Sequence, residues 1–154
     1  MEVLKIVFLD FDGVLNSEKY VKACGEYGVI IDPSRMILLK QLIDATNAKI
    51  VLSTSWREHW DADNRKCNST GKQINDIFAQ YNLHIFDKTS KLHLSRECEI
   101  KAWIDEHTEV KNFVVLDDMF LNAKFLEGHF IKTSNYFDGL DETDVKKAIE
   151  ILNG

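Results

Sequence analysis

Five short apolar runs are spaced along the chain, at Leu4–Leu9, Lys49–Leu52, Leu83–Phe86, Phe113–Leu116 and Phe130–Lys132. Several are continuously apolar, which suits parallel strands covered on both faces better than strands with one wet face. Between them, apolar residues recur at helical spacing. The sets are Met36, Leu39 and Ile43; Ile74, Ile77, Phe78 and Tyr81; Ile100, Trp103, Ile104 and His107; and Val145, Ala148, Ile149 and Leu152. Each marks the buried stripe of an amphipathic helix. Asp32-Pro33 reads as an N-cap followed by proline at the first helical position. Asp141 and Asp144 place negative charge at the start of the last helix, where the macrodipole favours it. Strands alternating with helices predict an α/β fold, a doubly wound parallel sheet of five strands.

Two stretches carry no clear period, residues 16–31 and 58–69. The first directly follows the first strand and is expected to form a flap or hairpin over the edge of the sheet. The second is polar and reads as a surface loop. With no repeat, low-complexity tract or large insertion, residues 1–154 are expected to form one domain without a cap.

Composition narrows the function classes. Hydrophobic residues at 45% and charged residues at 29% are ordinary for a globular chain. The formal charge of −6 argues against broad, sequence-independent nucleic-acid binding, though a small basic patch can still hold one phosphate. Cys24, Cys67 and Cys98 are odd in number and form no Cys-x-x-Cys pair, so reduced thiols in the cytoplasm are expected rather than zinc or disulfides. The first apolar run contains Lys5 and stops at Asp10, too short to span a bilayer. No membrane association and no obligate protein partner is expected.

Polar groups collect where the strands end. The first strand runs into Asp10 and Asp12, with Gly13 free to turn the chain so that Asp12 swings over the same pocket. The second strand is followed by Ser53, Thr54 and Ser55, then Trp56 and Arg57. Lys91 and Arg96 precede or open the third amphipathic stretch, and the fourth strand ends in Asp117-Asp118. In a doubly wound sheet these ends share one edge, the edge at which ligands bind. Carboxylates gathered there repel one another, and a divalent cation relieves that repulsion. Taken alone, Asp117-Asp118 would read as a helix cap, and Ser53 to Ser55 as a turn. Trp56 reads as core, and Arg57 either meets a phosphate or pairs with a carboxylate.

The order Asp10-Phe11-Asp12-Gly13-Val14, strand then Ser53-Thr54, a basic residue on a helix, then Asp117-Asp118 resembles the haloacid dehalogenase (HAD) superfamily of phosphohydrolases. The finer pattern, Leu52 to Arg57, Arg96 to Trp103 and Gly139-Leu140 before the last helix, is similar to the small capless HAD domains of Swiss-army-knife RNA repair proteins. That resemblance implies a HAD-like Rossmannoid fold and a Mg²⁺-dependent phosphatase. Asp10 would be the nucleophile that forms an aspartyl-phosphate, and Asp12 the general acid and base. Mg²⁺ would be held by Asp10, the Asp12 backbone carbonyl, Asp117 and Asp118, an all-oxygen set suited to that ion. Ser53 or Thr54 would bind the phosphoryl group. Arg96, or else Lys91, would supply the positive charge, and Arg57 would be a further substrate contact. Capless relatives act on bulky phosphates, so the phosphorylated substrate is expected to include nucleic-acid ends.

A different class uses similar chemistry. A phospho-receiver module also places acids, Mg²⁺, a hydroxyl and a base on a parallel sheet. Its phosphoacceptor follows the third strand, which here gives Asp87, and its lysine-proline pair follows the fifth, which here reads Lys132-Thr133. The order of motifs fits the hydrolase better.

Overall fold

The computed structural model describes residues 4–25, 30–134 and 138–154. Five strands, β1 (Leu4–Leu9), β2 (Lys49–Leu52), β3 (Ile85–Lys88), β4 (Val110–Asp117) and β5 (Phe130–Lys132), form one sheet in the order β3-β2-β1-β4-β5. Every pairing is parallel. The chain winds from β1 outward through β2 to β3, then crosses back to lay β4 on the other side of β1. The winding reverses at β1 and β4, and the crevice beyond their carboxyl ends is where open α/β sheets bind ligands.

The central strand explains the arrangement. Ile6, Val7, Phe8 and Leu9 are all fully buried, so β1 needs cover on both faces. Val7 and Leu9 join Ile50, Leu52, Val114 and Leu116 in one core. Over that face lie α2 (Pro33–Thr46), α3 (Ser69–Ala79) and α5 (Glu142–Asn153), through residues such as Leu39, Ile74, Phe78 and Ala148. Ile6 and Phe8 point the other way, with Val51 and Val115, onto Ile100 and Trp103 of α4 (Arg96–Glu106). The remainder of that face is closed by Leu121 and Leu126, from a connection that holds only a 3₁₀ turn at Lys124–Leu126. No α-helix lies between β4 and β5, so Asp117-Asp118 does not cap one there.

Helix ends agree with the sequence. Asp32 caps α2 and its carboxylate accepts from the Ser34 amide, with Pro33 at the first helical position. Asp141 and Asp144 do more than acidify α5: each carboxylate accepts the other's backbone N–H in a reciprocal capping box.

Three departures have local causes. β3 lies two residues beyond Leu83–Phe86, because Leu83 still bonds back to the Phe78 carbonyl of α3 and Asn82 turns the chain at positive φ. Its polar end is tolerated at the sheet edge, where Lys88 donates to the carbonyls of Arg57 and Trp60. β4 begins earlier than Phe113, since Lys111 and Asn112 sit at its solvated start. The segment expected as a flap or hairpin instead holds a short helix, α1 (Glu18–Cys24), capped by Ser17; residues 26–29 of that flap lie outside the described residues. The polar stretch 58–69 folds over buried Trp60 and Cys67. Among the described residues no helix is long and apolar enough to cross a membrane, and Cys24, Cys67 and Cys98 are free.

Candidate active site

β1 delivers Asp10 to the switch point. The Asp10 amide still bonds the Leu116 carbonyl of β4 at 3.1 Å, so the nucleophile candidate is fixed to the sheet ladder. The next side chain, Phe11, enters the core against Phe78. The chain then turns at Gly13, whose φ is 79°, and a Cβ there would lie 2.5 Å from the Asp118 carboxyl carbon. Glycine is required twice over, for the backbone angle and for the close approach of Asp118.

β4 delivers the other acids. Asp117 is 0% exposed and accepts the Met119 amide at 2.9 Å; Asp118 is half-buried. One carboxylate oxygen each from Asp10, Asp117 and Asp118 falls within 4.8 Å of the other two. Into this cluster reaches Arg96 from the first turn of α4, 2.7 Å from Asp117 Oδ2 and 3.2 Å from Asp10 Oδ2. A guanidinium at a helix N-terminus opposes the macrodipole, and these carboxylates hold it there. Three carboxylates thus face one guanidinium.

The imbalance shows in the proton affinities. Burial, aided by repulsion from Asp117 and Asp118, pushes the Asp10 carboxyl up to about 8, against the pull of Arg96 and the Thr54 hydroxyl. Burial also raises Asp118, with Asp117 adding repulsion. Burial opposes the charge of Arg96, but Asp10 and Asp117 outweigh it and its pKa stands above the usual value. An uncompensated, all-oxygen acidic cluster matches what a hard divalent cation requires.

β2 supplies the hydroxyls. The Ser53 amide extends the ladder to the Leu9 carbonyl at 3.1 Å. Its hydroxyl is fully buried and has no partner among the described residues. Thr54 caps the following 3₁₀ turn, its hydroxyl accepting the Trp56 amide at 3.3 Å, and it lies close enough to Asp10 to favour that carboxylate's charged form.

The basic candidates separate. Arg96 lies in the cluster, whereas Lys91 pairs with Glu58 at 2.6 Å on the exposed rim. Arg57 takes the carboxylate course of its two readings. It is buried, 2.9 Å from Glu99, and donates to the Ser53 and Thr54 carbonyls. Glu99 also accepts the Leu92 amide, so the pair braces the hydroxyl loop against the helix that carries Arg96. Arg57 is thus held by Glu99 and by backbone carbonyls, while its Nε has no partner among the described residues and the residue lines the same cleft as Arg96.

Asp12 stands apart, exposed and outside the triad of acids. The Trp56 indole donates to Asp12 Oδ2 at 3.0 Å, and Asn16 Nδ2 to Oδ1 at 3.3 Å. Trp56 packs against the core as its apolar character requires, yet its polar edge faces this acid. Asn16, Trp56, Glu99 and Thr133, whose hydroxyl donates to the Gly13 carbonyl, are the parts of the site that sequence reasoning missed. Only the Trp-Arg dipeptide beside the Ser-Thr run gave any signal.

Asp87, the acceptor in a receiver-like reading, lies on edge strand β3. It accepts the Trp103 indole at 2.9 Å and takes no part in the acidic cluster.

The family model described as the HAD domain in Swiss Army Knife RNA repair proteins matches residues 6–145. No curated protein and no solved structure matches the chain.

Proposed function

The chain belongs to the family of HAD domains found in Swiss Army Knife RNA repair proteins, and from that premise we propose that it is a Mg²⁺-dependent phosphomonoesterase working through Asp10. The observation that carries this reading is the set Asp10, Asp117 and Asp118 around the single guanidinium of Arg96. Asp10, Asp118 and the Asp12 backbone carbonyl would hold the ion, with Asp117 behind them. Bound there, the ion would neutralise the phosphoryl oxygens and keep Asp10 ionised beside an anionic substrate.

The residues then divide the work. A carboxylate oxygen of Asp10 bonds to phosphorus as the ester bond breaks, and Asp12 gives its proton to the leaving oxygen. Asp12 next takes a proton from water, whose oxygen attacks the phosphorus of the aspartyl-phosphate; phosphate leaves and Asp10 is restored. Arg96 holds Asp10 and Asp117 in register and supplies positive charge. The buried Ser53 hydroxyl, which has no partner among the described residues, is one phosphoryl donor, and Thr54 beside it is the other.

The rim supports a bulky organic ester, such as a nucleic-acid end. Among the described residues six large hydrophobic side chains are exposed; of these, Leu92 and Leu94 precede α4, and Met119 and Phe120 follow β4. Leu94 and Met119 line a cleft of about 310 Å³ that also contains Lys91 and Arg96. No inserted domain covers this edge among the described residues.

The test is phosphate release from p-nitrophenyl phosphate and from phosphorylated oligonucleotides, with Mg²⁺ or EDTA, by wild type and Asp10→Asn. Metal-dependent turnover that falls by about 10³-fold or more in the variant is expected. Full activity in Asp10→Asn would end this reading.

A further inference from the structure

Asp12 differs from the other acids in what holds it. The buried carboxylates are pinned by the charge of Arg96, whereas both oxygens of exposed Asp12 are met by neutral N–H donors, one from its own loop and one from the turn after β2. We propose that Trp56, with Asn16, is a positioning residue that clamps the Asp12 carboxyl in the orientation needed for proton transfer. This rests on the phosphohydrolase reading, and extends it to side chains outside the catalytic set.

The clamp is rigid on both sides. Trp56 is the second residue of the 3₁₀ turn after β2, its amide bonded to Thr54 Oγ1 at 3.3 Å, and its ring packs against the core and inclines over His59. Asn16 is fixed at two further points: its Oδ1 accepts the Gly13 amide at 2.9 Å, and its Nδ2 donates to the Ile30 carbonyl at 2.8 Å. Without such partners, a carboxyl on an exposed turn samples several rotamers, and misplacing a reacting group costs rate. The indole can only donate, so it orients the carboxyl without exchanging a proton with it. It also ties Asp12 to the loop that bears Ser53 and Thr54, so the proton donor and the phosphoryl-binding hydroxyls keep a fixed relation.

Two measurements test the clamp. In the first, Trp56→Phe keeps a packed ring and removes the donor. Substrates with poor leaving groups, such as alkyl phosphates, need the proton most, and p-nitrophenyl phosphate needs it least. The variant is expected to lose kcat/KM, which reports the step that expels the leaving group, roughly tenfold more on the alkyl ester than on the nitrophenyl ester. An equal loss on both, or no loss, overturns the proposal. The second is independent of activity. The three tryptophans give three indole N–H resonances in a ¹⁵N–¹H spectrum, and Trp60 and Trp103 donate elsewhere, to Asn75 and Asp87. Asp12→Ala is expected to shift and speed the exchange of the one indole that Trp56→Phe deletes. An unmoved resonance overturns the clamp. If the wild type shows no Asp10-dependent turnover while that resonance does move, it is the phosphohydrolase reading that fails, and the contact stands.

Discussion

Two arginines are largely buried against carboxylates a few residues apart in space, and their surroundings differ in charge count. Arg57 meets Glu99 alone, and the remaining polar neighbours of the pair are backbone groups. Arg96 meets Asp10 and Asp117, with Asp118 beside them. The first pair is neutral, so it serves as a strut. The second leaves negative charge unmatched, which a fold would avoid if stability alone were at stake. Burial therefore does not separate structural from functional ion pairs here; the balance of charge does.

Single substitutions separate the two ion pairs. Glu99→Ala strands a buried guanidinium, and the protein is expected to lose about 3–5 kcal/mol in urea denaturation. A loss below about 1 kcal/mol would remove the strut from the account. Asp10→Asn is expected to act in the opposite sense. It removes a buried charge that its neighbours repel, so the metal-free protein should melt a few degrees higher at pH 8. A lower melting temperature would mean that the cluster is not overcharged.

The pH dependence sharpens the same point. Asp10 titrates near 8 in the folded protein and near the ordinary carboxylate value when unfolded, so the folded state binds the extra proton between those limits. The stability of the metal-free protein is therefore expected to be full below about pH 4 as far as this group is concerned, and to be lost as pH rises toward 8. Mg²⁺ should cancel much of that loss, raising the melting temperature more at pH 8 than at pH 6. A metal effect that is equal at both pH values would contradict the coupling. The smallest effect belongs to Lys91→Ala, whose partner Glu58 is on the surface, and the urea midpoint should stay unchanged.

Much of this was legible in the sequence. The bounds of β1 and β2 follow from apolar runs, because central and inner strands must be apolar on both faces, and those of the short edge strand β5 from its Phe130-Ile131 pair. The acidic pairs were visible for the same reason: charge at the end of such a run has no apolar explanation. The covering of the second face was less legible. Leu121 and Leu126 act without an α-helix to give them a period. The Arg57–Glu99 strut and the Trp56–Asp12 bond join residues 42 and 44 positions apart, and no local pattern encodes such partners. Which of Arg96 and Lys91 reaches the acidic cluster is likewise a matter of tertiary geometry, since both stand near the start of α4.

The most direct test of the central claim is to trap the covalent intermediate. Asp12→Asn should slow hydrolysis of the acyl phosphate, so a reaction with p-nitrophenyl phosphate and Mg²⁺, quenched and reduced with borohydride, would convert a phosphorylated aspartate to homoserine. Peptide mass spectrometry is expected to find homoserine at position 10. Homoserine at position 87, or at no position while turnover proceeds, would contradict the account.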